Sequence, residues 1–119
     1  MPYIDPDTRM HLPLTPVVFE ILIALADQPR HGYGVMQEVE ARSGTRLRAG
    51  TLYRAIDRLL TEGHIEEVTA TTQPAGRDGR RRTYRLTKLG RRVAMAEAQR
   101  LAAALDAARV KKLLQPEQA

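Results

Sequence analysis

The chain has 119 residues, 43% hydrophobic but only 4% aromatic, with a formal net charge of +5 and no cysteine. That length suits one small domain, or a domain with one extra helix, whose thin aliphatic core gains from burial against a second copy. The absence of cysteine excludes disulfides, zinc fingers and thiol catalysis. With no apolar run of about 18 residues and no cleavable signal pattern, a soluble, cytoplasmic chain without a membrane partner is expected.

The positive charge is concentrated. Thr69 to Arg92 hold Arg77, Arg80, Arg81, Arg82, Arg85, Lys88, Arg91 and Arg92 against Asp78 alone, whereas the remaining residues hold 11 basic and 13 acidic side chains. A local field of that sign is the footprint of a polyanion binder. His11, His31 and His64 are scattered without ligand-like spacing, so no metal or other cofactor is expected.

Residues 1–13 contain Pro2, Pro6 and Pro13 and no apolar period, which predicts an irregular N-terminal arm. Leu14 to Gln28 is the first predicted helix. Thr15 can cap it, Pro16 suits the first helical position, and Val18, Ile21, Leu22 and Leu25 form its inward stripe before Pro29. Arg30 to Gly34 is a turn into a second helix, roughly Gly34 to Arg42, with Val35, Met36 and Val39 inward and Ser43-Gly44 closing it. Gly32 and Gly34 bracket Tyr33, so the backbone there can approach another surface, and a helix N-terminus suits a phosphate. The plainer reading makes Tyr33 a half-buried packing residue.

Thr45 to Ala49 connect to the helix on which the rest depends. Leu52, Ile56, Leu59 and Leu60 fall on one stripe, Thr51, Arg54, Asp57, Arg58 and Thr61 on the opposite side, and Gly63 supplies a stop. A face of arginines and hydroxyls can enter a DNA major groove and reach base edges and phosphates, although most such faces are simply solvated. Two short helices before a third make a helix-turn-helix, whose third helix points toward DNA.

After Gly63 the pattern changes. His64 to Thr71 is β-compatible, Thr72 to Gly79 is rich in turn residues, and Arg82 to Thr87 alternates with Tyr84 and Leu86 inward. This predicts a β-hairpin wing with a long basic tip, whose Arg77, Arg80, Arg81 and Arg82 would reach phosphates or a minor groove. Thr87 caps a last helix running to about Leu114, before Pro116. Leu89, Val93, Leu101, Leu105, Val110 and Leu113 give it apolar surface on more than one side, and Ala94, Ala98, Ala102 and Ala108 allow a second helix to come close. Dimerisation through Val93, Leu101, Leu105, Val110 and Leu113 is expected, the alternative being an exposed, Ala-rich helix of high intrinsic propensity. The predicted fold is mostly α with a β-hairpin wing: a winged helix-turn-helix over 14–87, a C-terminal dimerisation helix over 88–114 and a tail over 115–119.

Four motifs carry a family resemblance: His31-Gly32-Tyr33-Gly34; Gly50-Thr51-Leu52-Tyr53-Arg54-Ala55 followed by Arg58-Leu59; Gly63-His64-Ile65-Glu66; and Tyr84-Arg85-Leu86-Thr87-Lys88-Leu89-Gly90. In order and spacing, over roughly Leu14 to Arg92, they resemble the PadR-type transcriptional regulators. The resemblance implies a winged-helix domain, a homodimer through the C-terminal helix and repression at a promoter with an inverted repeat. It also implies that Thr51, Tyr53 and Arg54 lie at the DNA-facing start of the reading helix. The chain departs from the family pattern at His64, where Leu is frequent, and at Leu60, where an acidic residue is frequent. Its single C-terminal helix resembles the family's smaller branch. Some small members hold flat drugs between Trp residues, which this chain lacks.

The function expected is a sequence-specific regulator of double-stranded DNA. Arg54 and Arg58 take base edges or phosphates, Thr51 and Tyr53 take the backbone or a thymine methyl, and Tyr33, Arg48 and the wing arginines lie beside them. A protein-interaction module on the same fold is the alternative, disfavoured by the basic wing. No residue pattern suggests an enzyme. A small-molecule effector has room between the C-terminal helix and the winged domain, where Met10, Met36 or Met95 could line a pocket, although methionines at helical spacing are more often core.

Overall fold

A computed structural model of the chain describes residues 3–68 and 82–115. In order, the elements are α1 (Pro6–Arg9), α2 (Pro16–Ala24), β1 (Arg30–His31), α3 (Gly32–Ser43), α4 (Ala49–Thr61), β2 (Ile65–Val68), β3 (Thr83–Leu86) and α5 (Lys88–Val110). The strands form one antiparallel sheet in the order β1-β3-β2. Ile65 faces Leu86 and Val68 faces Thr83 across the hairpin, while Arg30 pairs with Tyr84 and His31 with Thr83. The expected winged helix-turn-helix is therefore present. β1 is an addition: two residues are too few to show alternation, so only their pairing reveals a strand where a turn was expected. The turn-rich tip of the wing falls in 69–81, outside the described residues.

The core is aliphatic. Ile21, Leu22, Val35, Val39, Leu52, Ile56, Leu59 and Ile65 are buried, with Tyr84 closing the sheet side. At roughly 1.5–3 kcal/mol for each fully buried side chain of this size, these contacts drive the packing of α2, α3 and α4. Caps set the helix limits. Thr15 Oγ1 accepts from Val18 N at 3.3 Å, and Pro16 opens α2. α2 ends at Ala24, short of the expected Gln28, where Arg30 Nε donates to Ala24 O at 2.7 Å and Arg91 Nη2 donates to Ala26 O at 2.8 Å. Guanidiniums at a helix C-terminus satisfy otherwise orphaned carbonyls. Arg91, read from sequence as part of the basic footprint, thus also holds the end of α2 by a bond at the surface. Arg42 ties α3 to α2 by pairing with both Glu38 and Glu20.

The N-terminal arm, expected to be irregular, holds one helical turn, α1. Asp5 caps α1 by accepting from Thr8 N at 3.0 Å and from Thr8 Oγ1 at 2.8 Å, and Pro6 occupies the first turn. A single turn has no apolar period to read, so proline counting mistook it for a loop. α1 packs on α5. Just after it, Leu14 N donates at 3.2 Å to Oε2 of Glu97, a carboxylate only 1% exposed on α5. Arg100 completes the group, Nε to Oε1 at 2.7 Å and Nη2 to Oε2 at 2.9 Å. Hydrogen bonding from Arg100, aided by the Leu14 N–H and opposed by burial, holds the Glu97 carboxyl below its usual 4.5. A lowered folded-state value means stability that is complete above about pH 4.5 and lost as pH falls through the folded value. Glu97→Gln is expected to cost about 1–3 kcal/mol at neutral pH, with the deficit shrinking as wild type is acidified. Urea unfolding of both chains at about pH 7 and about pH 3 checks this.

α5 starts from a tight corner. Thr87 Oγ1 accepts from Gly90 N at 2.9 Å and donates to Gly63 O at 2.6 Å, while Thr87 N donates to His64 O at 3.1 Å. Gly63, at φ +80°, closes α4: His64 N returns to Leu59 O at 2.9 Å and Gly63 N to Leu60 O at 3.2 Å. Gly90, Val93, Ala96 and Glu97 bury one face of the first half of α5. Val93 is 0% exposed within its own chain, so the expectation that it faces a partner is corrected: its stripe belongs to the domain. The helix stops at Val110 rather than near Leu114. Lys112 takes φ +64°, with its N–H returned to Arg109 O and that of Leu113 to Ala108 O, the same closure that Gly63 makes after α4.

Candidate nucleic-acid interface

α4 presents the expected outward face. Leu52, Ile56 and Leu59 are buried, whereas Tyr53, Arg54, Asp57 and Arg58 are exposed and Thr51 is half-buried. Its N-terminus differs from those of the other four helices. Asp5, Thr15, His31 and Thr87 cap their helices with side-chain atoms, but Arg48 at the start of α4 makes no such bond. The first-turn N–H groups of Ala49, Gly50 and Thr51 are left for an anion. Arg48 and Arg54 are exposed beside them and, among the described residues, form no ion pair. Gly50 keeps the surface low: a Cβ there would sit 3.5 Å from Nη1 of Arg54.

The aromatic pair brackets this end. Tyr53 is 39% exposed because one side of its ring rests on Gly32, where a Cβ would come within 2.5 Å of its hydroxyl oxygen and 2.9 Å of two ring carbons. A side chain at Gly32 would displace the Tyr53 ring, so Tyr53 has a packing role beside its outward one. Tyr33 is 61% exposed on the adjoining first turn of α3, so the half-buried reading does not hold for it. The His31 ring caps that turn, Nδ1 accepting from Gly34 N at 3.0 Å.

Other expected contacts are partly spent. Arg58 is 70% exposed, but its Nε donates to Glu62 Oε2 at 2.8 Å, and this bond is the main reason the Glu62 carboxyl lies below its usual range. Arg82 at the wing root lies 3.8 Å from Glu67, and Arg85 donates to Glu66 at 2.7 Å. Glu66 and Glu67 on β2 therefore neutralise part of the cationic footprint. Arg77, Arg80 and Arg81 lie outside the described residues. Met10 and Met95 are 82% and 56% exposed, Met36 packs on the core, and none of the three borders the two hollows found among the described residues.

Sequence reasoning missed one cluster. His64, 2% exposed, meets His11 from the arm, Nε2 to Nδ1 at 2.9 Å. The rings stand edge to face at 4.7 Å between centroids. Burial, then the neighbouring His11, pushes the His64 imidazole below its ordinary value. Fifty-three residues separate the two, so no local spacing could have joined them.

With this geometry, comparison with known proteins is decisive. The PadR-like family of transcriptional regulators matches residues 21–96, from the core of α2 to the buried face of α5. The chain belongs to this family. Residues 21–96 are thus the domain of a PadR-like transcriptional regulator. The chain is 39% identical over 82 residues to an uncharacterized 37.1 kDa protein in transposon TN4556 of Streptomyces fradiae, a match spanning 69% of this chain and 22% of that protein. Its fold matches a PadR family transcription regulator from Clostridium difficile at TM-score 0.67 and 24% identity, covering 80% of this chain and 96% of that one. A transcriptional regulator from Clostridium thermocellum matches at TM-score 0.66 and 22% identity, covering 95% and 100%. Escherichia coli MarR matches at 0.68 and 18%, covering 94% and 74%. Among the described residues, no helix of this PadR-like chain is long and apolar enough to cross a membrane.

Proposed function

We propose that this PadR-like regulator is a homodimeric repressor that sets α4 of each copy into successive major grooves of an inverted-repeat promoter site. The observation that carries this reading is the start of α4, which has no side-chain cap and is flanked by Arg48 and Arg54, neither of them in an ion pair among the described residues. Phosphate seats on the backbone amides, and Arg54 reaches into the groove toward a guanine edge. Thr51 and Tyr53 take the sugar-phosphate backbone or a thymine methyl, and Tyr33 and Arg48 take the flanking phosphates. Arg58 joins them by leaving Glu62, and the wing arginines Arg77, Arg80, Arg81 and Arg82 reach the neighbouring strand.

The dimer follows from the second half of α5. Leu105 and Val110 on α5 and Leu113 just past its end are 47%, 80% and 79% exposed, and Leu101 is half-buried one turn before Leu105. Large apolar side chains gathered at this end of the helix mark a surface that a partner copy would cover. Two copies would hold their reading helices about one turn of B-DNA apart, roughly 34–36 Å. Replacing Leu105 and Val110 together by glutamate is expected to convert the dimer to a folded monomer, read by light scattering and circular dichroism. A dimer that survives both changes would overturn this interface.

The test of the function is selection of bound genomic fragments, followed by titration of the recovered duplex. Arg54→Ala is expected to weaken binding by about 1–3 kcal/mol and to relax discrimination at one base position. Unchanged affinity and specificity would remove Arg54 from the reading set. Selection repeated with candidate small molecules identifies any effector that releases the DNA.

A further inference from the structure

We propose that His11, Glu62 and His64 form a binding site for a divalent transition-metal ion of the zinc type. This site meets the DNA reading at one residue, Arg58, which pairs with Glu62. The potential ligand atoms of the three residues all lie within 4.8 Å of one another, brought together from the arm, the end of α4 and the corner before β2. Two imidazoles and a carboxylate with one position open is a donor set and count suited to zinc. The facing nitrogens of His11 and His64 lie 2.9 Å apart, so in the neutral pair one carries the shared proton and the other accepts it. Tetrahedral zinc with metal–nitrogen bonds of about 2.0–2.1 Å holds two such nitrogens roughly 3.3 Å apart. The two nitrogens need to open by only a few tenths of an ångström; the shared proton moves to the far nitrogen of its own ring, and the Glu62 carboxylate, within 4.8 Å, swings in to complete the set.

The surroundings suit a metal in three respects. His64 is fixed, because its N–H returns to Leu59 O and its carbonyl accepts from Thr87 N. His11 is half-buried beside the last turn of α1, with its N–H on Thr8 O at 3.0 Å, and can adjust. Glu62 Oε2 accepts from Arg58, which leaves its second oxygen for the ion and orients the carboxylate as outer-shell partners of metal ligands do. The hollow bordered by His11, Pro13, Leu14, Arg58, Glu62 and His64 gives an ion and its remaining water a route from solvent. Neither histidine belongs to the DNA-facing end of α4, and the test is therefore made without DNA, with Arg58 left on Glu62.

The experiment uses the untagged full chain without DNA. Cobalt(II) is titrated in and followed by its visible d–d absorption, and zinc uptake is measured by equilibrium dialysis. The expected result is one ion per chain, with affinity reduced about ten-fold or more in both His11→Ala and Glu62→Gln and unchanged in His31→Ala, which removes the remaining histidine. Circular dichroism verifies each variant's fold. Should His11→Ala fail to fold, zinc-induced shifts of the ring resonances of His11 and His64 in the wild-type chain decide the question. Absence of stoichiometric uptake, uptake retained in folded His11→Ala or Glu62→Gln, or shifts confined to His31 would overturn the site.

Discussion

Gly90→Ala is expected to destabilise the fold by at least about 3 kcal/mol, the upper end for overpacking, because the obstruction is backbone and not a side chain that can swing away. A Cβ at Gly90 would lie 1.9 Å from His64 O and 2.8 Å from His64 C. That carbonyl is already engaged by Thr87 N, and Thr87 Oγ1 in turn holds Gly63 O and Gly90 N. Relief would require α5 to lift from the end of α4 and give up the burial of Val93 and Ala96. Alanine's better helix propensity returns only about 1 kcal/mol. Against a total stability of about 5–15 kcal/mol for a domain of this kind, the loss is large. Urea unfolding monitored by circular dichroism measures it, and a cost under about 1 kcal/mol would contradict the described corner.

DNA binding is expected to fall about 10³–10⁵-fold as monovalent salt rises from about 50 to about 200 mM, on the basis of about 6–10 phosphate contacts per dimer. In the proposed dimer each copy would supply the amides and arginines at the start of α4. The ion pairs of Arg58 with Glu62 and of Arg82 with Glu67 bear on the size of this slope, since a cation released from a carboxylate displaces fewer counterions from DNA than a free one. Anisotropy titrations on the selected duplex at several salt concentrations give the slope directly. A flat response would show that phosphate neutralisation is not what holds the complex together.

The helices were readable in the sequence because each carries two independent local signals. α2 has Thr15-Pro16 at its start together with its apolar stripe, and α4 has Leu52, Ile56 and Leu59 on one side and Gly63 at its end. The outward residues of α4 followed from the same periodicity. What could not be read depends on contacts distant in sequence. β1 exists only through its pairing with Thr83 and Tyr84. Val93 has the same apolar character as Leu105, yet the first is covered by the domain and the second is not, a difference set by how far the body extends along α5. Arg91 and Arg58 were counted as cations for DNA, although one satisfies the end of α2 and the other a carboxylate four residues away. Charge is additive along a sequence, but its availability is decided by neighbours that fold alongside it.

The contact of His64 O against Gly90 leaves no slack between the head of each protomer and its long rod. The 23 residues of α5 span about 35 Å, so in a tail-joined pair a swivel of about 10° at the joint would carry each head about 6 Å sideways. Such a machine is geared: small rotations far from the duplex set whether both heads fall in step with the double helix or out of phase with it.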